Sequence, residues 1–381
     1  MFRKETIEQF KLLQTPFYYY DLSLLKKTLD SYTVELHKYG YHAHYALKAN
    51  ANEPILTLIK NKGLGADCVS GNEVALALRT GFAPEKIVYA GVGKSDKEIN
   101  TALDGRIFSF NCESVPELKI INSLAAAKAI VANVSLRINP DIDAHTHKYI
   151  STGRSQDKFG ISPWMFEEVL SVLKSSSNLK LAGLHFHIGS QITDLDVFIL
   201  LTKRVKELQK WFTDRGVVIE NINLGGGLGV DYINPDASPI PDFAGYFSRI
   251  HKNLEVLPGQ KVHFEPGRAL VAQSGTLISR VLYVKMGKGK KFAILDAGMN
   301  DLIRPALYQA VHKIQNLSSE GITRRYDVVG PICESSDRFG KNILLPKTER
   351  GDIIAIRTAG AYGQVMAMRY NQKDLADAYY F

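Results

Sequence analysis

Between about residue 40 and residue 268 the chain repeats one pattern. A short apolar run is followed by a small polar or glycine-containing loop, then by a stretch with apolar residues at helical spacing. The apolar runs predict strands in HAHYALKAN (42–50), GLGADCV (63–69), KIVYAG (86–91), IFSFN (107–111), NVSLRIN (133–139), LAGLHFH (181–187), NINLGGG (221–227) and KVHFEPG (261–267). The intervening stretches carry helix punctuation. EPILTLIKNKG has Pro54 early and Gly63 past its end; NEVALALRTG is expected to be capped at Asn72 or a neighbour and closed by Gly81. DLDVFILLTKRVKELQKWFTDRG is the longest and ends at Gly216. Eight alternating units predict an α/β fold with a (β/α)8 barrel, an open doubly wound sheet being the alternative.

After Arg268 the pattern changes. ALVAQSGTLISRVLYVKM, KFAILDAG, RYDVVGPIC and DIIAIRTAGAYG are β-branched runs broken by Gly, Asp and Pro, with few long amphipathic helices between them. They predict a C-terminal antiparallel β domain, a sandwich or small barrel. The expected division is a barrel over 25–268 and a β domain over 269–381, joined by the N-terminal segment 1–24 with its strand-like PFYYYD. The longest irregular stretch, 141–160, is of a size that in a compact barrel is usually functional or mobile.

Composition narrows the classes. With 381 residues, 45% hydrophobic and 23% charged, the usage is that of a globular protein large enough for two cores. No run is long and apolar enough to span a membrane, and the N-terminal residues lack the apolar core of a secretory signal. Three cysteines form no even disulfide framework, so a reducing, cytoplasmic compartment is expected. A net charge of +8 suits anionic ligands, or an ordinary lysine-rich surface. No basic block with interleaved aromatics suggests a nucleic-acid partner.

In a barrel the reactive groups gather at the carboxyl ends of the strands. Lys48, Asp67, His185, His187, the glycines 225–229, Glu265 and Arg268 all fall at such ends. A lysine preceded by apolar Tyr45, Ala46 and Leu47 can act as a carbonyl nucleophile; a lysine reaching solvent is the bland reading. NLGGGLG can offer only backbone N–H groups, which suits a phosphate, helped by a following helix N-terminus. Glu265 either keeps a pyridine nitrogen protonated or pairs with Arg268. His187 could stack on a ring or bind a metal, whereas His185 reads as a bonded core histidine. Arg304 and Tyr308 fall four apart, as on one face of a short helix, and arginine is the natural fork for a carboxylate. Cys68 and Cys112 read as core residues, and Cys333, followed by acidic and hydroxyl residues, as a reachable thiol.

YALKAN, HFHIGSQ, GGGLG, EPGR, DAGMNDLIRPALY, GPICES and AGAYG stand in the order seen in diaminopimelate decarboxylases, which are alanine-racemase-type pyridoxal-phosphate enzymes. The sequence resembles this family over nearly its whole length. The resemblance implies pyridoxal 5'-phosphate as cofactor and decarboxylation of meso-diaminopimelate to L-lysine. Lys48 resembles the lysine that holds the cofactor, His187 the histidine stacked on its ring, and Glu265 the partner of the ring nitrogen. Asp67, Ser190, Gly226, Gly227, Gly229 and the stretch Glu265, Pro266, Gly267 and Arg268 match positions around the cofactor. Tyr362 matches a tyrosine touching cofactor and substrate. Arg268, Arg304 and Tyr308 match residues holding the substrate's distal end, Glu334 a contact to the distal ammonium, and Cys333 the proton donor. In that family Cys333 and Glu334 come from the second subunit, which implies a homodimer. One departure is Ser336, where glycine is expected after GPICES. Three other readings compete. They are a sister decarboxylase of a basic amino acid or carboxylated polyamine, a metal-dependent barrel hydrolase using His42 and His44, and a non-catalytic relative.

Overall fold

The computed structural model describes residues 2–142 and 158–381. Most of the expected functional loop over 141–160 therefore lies outside the described residues. The chain divides into two compact units, one formed by Leu29–Gly229 and Asp242–Gly267, the other by Met1–Thr28, Val230–Pro241 and Arg268–Phe381. The expected barrel range of 25–268 thus includes a segment, Val230–Pro241, that the structure groups with the β-rich unit.

In the first unit eight parallel strands close on themselves in sequence order. They are β2 (His42–Ala46), β3 (Gly65–Cys68), β4 (Ile87–Tyr89), β5 (Ser109–Cys112), β6 (Ala132–Arg137), β7 (Leu179–His185), β8 (Asn221–Asn223) and β9 (Lys261–Phe264). β9 returns to β2 with Ala43 opposite Phe264, closing the barrel. The helices after β1 (Phe17–Tyr20) and between these strands are α2 (Leu22–Lys38), α3 (Glu53–Asn61), α4 (Gly71–Arg79), α5 (Asp96–Asp104), α6 (Val115–Ala127), α7 (Phe166–Ser175), α8 (Asp196–Thr213) and α9 (Phe243–Asn253); α1 (Lys4–Leu12) precedes β1.

The local signals explain the helix starts. α3 takes Pro54 in its first turn, where a missing N–H costs nothing. α4 is capped by the Ser70 side chain, which accepts from the Glu73 N–H, so Asn72 lies inside the helix. The cap thus falls two residues before Asn72, on a serine that serves there as well as asparagine would. α5 begins with a reciprocal box between Ser95 and Glu98. Packing then fixes the helices against the strands: Tyr32 of α2 meets Phe243 of α9 edge to face at 5.0 Å, and Phe247 of α9 meets Phe264 of β9 at 5.0 Å.

The second unit is a mixed, mainly antiparallel sheet of β1, β10 (Gly275–Gly287), β11 (Lys290–Leu295), β12 (Ile314–Asn316), β13 (Thr323–Val329), β14 (Arg338–Pro346), β15 (Ile353–Ile356) and β16 (Asp377–Tyr380), with short helices α10 (Arg268–Val271) and α11 (Arg304–Tyr308). The strand-like PFYYYD does join it: β1 pairs antiparallel with β10 and parallel with β16. Phe10, Phe17, Tyr19, Ile278, Ile353 and Ala355 form its buried cluster. Among the described residues no helix is long and apolar enough to cross a membrane.

Candidate active site

Because all eight barrel strands are parallel, the loops that follow them share one rim. Lys48 lies just past the end of β2, in a single turn over Leu47–Ala49 rather than on the strand itself. Its Nζ stands 3.4 Å from Oδ2 of Asp67, the penultimate residue of β3. Asp67 is fully buried, and its Oδ1 has no hydrogen-bond partner among the described residues. Burial, then the charge of Glu265, pushes this carboxyl up to about 8, against the pull of Lys48.

Glu265 follows β9 and is anchored by three side chains. Its Oε1 accepts from Asn111 Nδ2 at 3.0 Å and Asn223 Nδ2 at 2.8 Å. Its Oε2 lies 2.9 Å from His185 Nε2. Since an ionised carboxylate only accepts, each of these nitrogens donates. Burial alone would raise Glu265, but the charge and hydrogen bond of His185, then Lys48 and His187, hold it well below the usual carboxylate range. His185 is thus a bonded core histidine, as read from the sequence.

The glycine turn follows from the same network. Asn223 also accepts from the Gly225 N–H at 2.9 Å, and Glu265 N donates to the Gly225 carbonyl at 2.8 Å. A methyl on Gly226 would sit 2.2 Å from the backbone oxygen of Glu265, and Gly227 has φ +109°. Both positions therefore require glycine. Gly226 N donates to His187 Nδ1 at 3.3 Å, which leaves the ring's proton on Nε2. Desolvation, then Arg137 and Lys48, keeps His187 well below its ordinary pKa. Ile192 N donates to the Gly227 carbonyl, and Gly229 N to that of Ile192, tying the turn to the segment that carries Ser190. The expected helix N-terminus directly after the glycines is absent from this stretch: the next helix, α9, begins at Phe243. Pro266 accepts from Ala46 N at 3.0 Å, which fixes the strand end bearing Glu265 beside that bearing Lys48.

A second cluster lies in the β-rich unit. Arg268 and Arg304 are both buried and both face the Tyr232 ring, their guanidinium carbons 5.9 and 4.5 Å from its centroid. Arg268 Nη1 donates to the Tyr232 hydroxyl at 2.5 Å, and its guanidinium lies 4.8 Å from the Tyr362 ring. Tyr362 holds a left-handed backbone, φ 55°, in the tightly packed AGAYG turn. Such a conformation in a bulky residue costs about 1–3 kcal/mol and marks sites where position matters. Arg304 and Tyr308 begin and end α11, and Tyr308 is partly exposed. Cys333 and Glu334 are exposed on the β13–β14 connection. Glu334 accepts from Tyr370 Oη at 2.6 Å and from Ser336 Oγ at 3.0 Å. The serine that departs from the expected glycine thus orients Glu334. Cys68 and Cys112 are buried, as expected, and burial raises both thiols.

Several residues of these clusters escaped the sequence. Asn111 and Asn223 occupy the strand ends that were read as apolar runs, and Tyr232 and His312 belong to no motif. The His42 and His44 pair does not form a metal site: His44 Nδ1 bonds the Lys86 carbonyl at 2.9 Å and its Nε2 meets His263 Nδ1 at 3.0 Å. Among the described residues no group of three metal-ligating side chains converges.

Residues 22–272 match the family described as pyridoxal-dependent decarboxylase, pyridoxal binding domain. A diaminopimelate decarboxylase of Bacteroides thetaiotaomicron is 56% identical over 374 residues, 98% of this chain and 97% of that protein. A Helicobacter pylori diaminopimelate decarboxylase is 43% identical, covering 96% and 90% of the two chains. The crystal structure of the diaminopimelate decarboxylase from Helicobacter pylori complexed with L-lysine superposes with a TM-score of 0.91 over 98% of this chain and 93% of that one, at 43% identity. With this identity over nearly all of both partners, a matching barrel and a matching β domain, the chain belongs to the diaminopimelate decarboxylase family of pyridoxal-phosphate-dependent enzymes.

Proposed function

We propose that the chain decarboxylates meso-diaminopimelate to L-lysine and carbon dioxide, with the cofactor held at Lys48. The observation that carries the choice of site is Glu265, an ionised carboxylate buried among three donors beside the glycine turn. Such a group keeps a pyridine nitrogen protonated. The barrel rim fits the cofactor in two further respects. Asp67 Oδ1 and His185 Nδ1 are buried polar atoms without a partner among the described residues, and Gly226 and Gly227 leave room only for backbone. When bound, pyridoxal phosphate would supply the electron sink for the pair left on the α-carbon as carbon dioxide departs.

The residues divide the remaining work. Lys48 supplies the amine that holds the cofactor; His187 flanks the ring. Ser190, Gly226, Gly227, Gly229 and the backbone of Glu265, Pro266, Gly267 and Arg268 surround the phosphate. Tyr362 touches cofactor and substrate. Arg268, Arg304 and Tyr308 bind the distal end of the substrate, where a carboxylate meets a two-donor fork. Cys333 returns a proton to the α-carbon and Glu334 binds the distal ammonium. Both are exposed, which suits their use by the second subunit of a homodimer. We place the enzyme in the cytoplasm, where thiols such as Cys333 stay reduced.

The test is substrate choice by the holoenzyme. Carbon dioxide release from meso-diaminopimelate should greatly exceed that from ornithine or arginine, and the product should be L-lysine. Preference for ornithine or arginine would transfer the chain to a sister activity.

A further inference from the structure

Arg304 is only 5% exposed, and a buried guanidinium demands partners. Its Nη1 lies 2.8 Å from His312 Nε2. A guanidinium only donates, so Nε2 must be the lone-pair nitrogen. Nδ1 of the same ring lies 2.8 Å from the Arg357 carbonyl and therefore carries the proton. The two contacts select one neutral tautomer, and a protonated ring could not accept from Arg304 at all. Burial, then the charge of Arg304, brings His312 down to about 3, in keeping with that tautomer.

The arginine and the histidine also share a support. The Arg304 guanidinium lies 4.5 Å from the Tyr232 ring centroid, and His312 meets that ring edge-on at 5.0 Å. Tyr232 is fixed by Lys313 N, which donates to its carbonyl at 3.0 Å. The segment around it is held by Asp236, paired with Arg357 at 3.1 Å and Lys313 at 3.4 Å. Among the described residues of its own unit, no carboxylate pairs with Arg304. A buried cation so fixed, and lacking an anion of its own, is arranged to receive one.

We propose that His312 is a positioning residue that sets specificity: by taking one N–H of Arg304 against the Tyr232 ring, it aims the remaining donors at a carboxylate on the non-reacting end of the substrate. This rests on the reading of Arg304 as the binder of that carboxylate.

A double-mutant cycle on the holoenzyme tests it, with Arg304→Lys as one arm. His312→Leu removes the acceptor and keeps bulk. His312→Gln restores an acceptor oxygen and a donor. His312→Asn keeps a donor for the Arg357 carbonyl but stops short of Arg304, and replaces the leucine variant should that fail to fold. Two readouts are taken: KM and kcat for meso-diaminopimelate, and calorimetric affinity for L-lysine, which retains that carboxylate. The leucine variant should raise KM and weaken lysine about tenfold or more, the scale of a hydrogen bond to a charged group, with kcat less affected. Glutamine should recover most of the loss. In the Arg304→Lys background, His312→Leu should cost little more. Equal losses in both backgrounds, or wild-type lysine affinity in a folded leucine or asparagine variant, would overturn the proposal. If Arg304→Lys alone leaves KM and lysine affinity unchanged, the carboxylate reading of Arg304 fails first, and the role of His312 falls with it.

Discussion

At the scale of single residues, charge state decides what each group can do. Glu265 stays ionised because three side chains donate to it, whereas Asp67, equally buried, has one cation at 3.4 Å and an unpartnered oxygen. His312 is held neutral, and that has a consequence for stability. Its folded pKa, about 3, lies below the value of about 6.5 in the unfolded chain. Above pH 6.5 neither state binds the proton and nothing is lost. Below it the unfolded chain binds a proton that the folded one refuses, so stability falls with pH toward the folded value. Asp67 acts with the opposite sign between its two values, so wild type alone would not isolate the histidine. The comparison with His312→Gln does. From pH 6 to pH 5 wild type should lose about 1.2 kcal/mol more than this variant, because the unfolded histidine is already mostly protonated at pH 6, measured by urea denaturation. Parallel curves would mean that His312 titrates normally.

At the scale of elements, the strand ends do the positioning, and the turns after them are shaped by close contact. The sequence was clear about the strands because each is an apolar run between turn residues; Lys48, Glu265 and the glycines stood out at strand ends, but each also had an ordinary reading until the motifs were taken together. It did not show that Asn111 and Asn223 converge on Glu265. An asparagine in a buried strand looks the same whether it bonds a neighbouring backbone or a carboxylate 42 or 154 residues away. Tyr232 was hidden for another reason: Val230–Pro241 interrupts the barrel sequence but packs with the other unit, and no local period announces that. The glycine turn yields a direct test. An added methyl at Gly226 would lie 2.2 Å from the Glu265 backbone oxygen, so Gly226→Ala must displace the strand end that carries Glu265. It should cost about 1–3 kcal/mol of stability and weaken pyridoxal phosphate binding in a fluorescence titration. Gly93→Ala, whose methyl meets nothing within 4 Å, is the control and should do neither. Equal cofactor affinity in the two variants would remove the turn from the phosphate site.

At the scale of the whole molecule, the proposed chemistry would draw on a barrel that carries Lys48 and a β-rich unit that carries Cys333. The proposed homodimer makes this testable, because a two-fold axis uses each shared element twice. Lys48→Ala and Cys333→Ala homodimers should each be nearly inactive. Refolded together in equal amounts, half of the dimers are mixed, and each mixed dimer has one site with both lesions and one with none. Roughly a quarter of wild-type activity should return. No recovery despite demonstrated subunit exchange would mean that each chain completes its own site.

All of this hangs on Lys48 as the residue that holds the cofactor, and one measurement addresses it directly. Holoenzyme is reduced with borohydride, digested, and the pyridoxyl-labelled peptide identified by mass. The label should be found on Lys48, within the peptide containing YALKAN, and Lys48→Ala should fold with the wild-type melting profile yet carry no label and release no carbon dioxide from meso-diaminopimelate. A label on any other lysine, or full turnover by Lys48→Ala, would contradict the account.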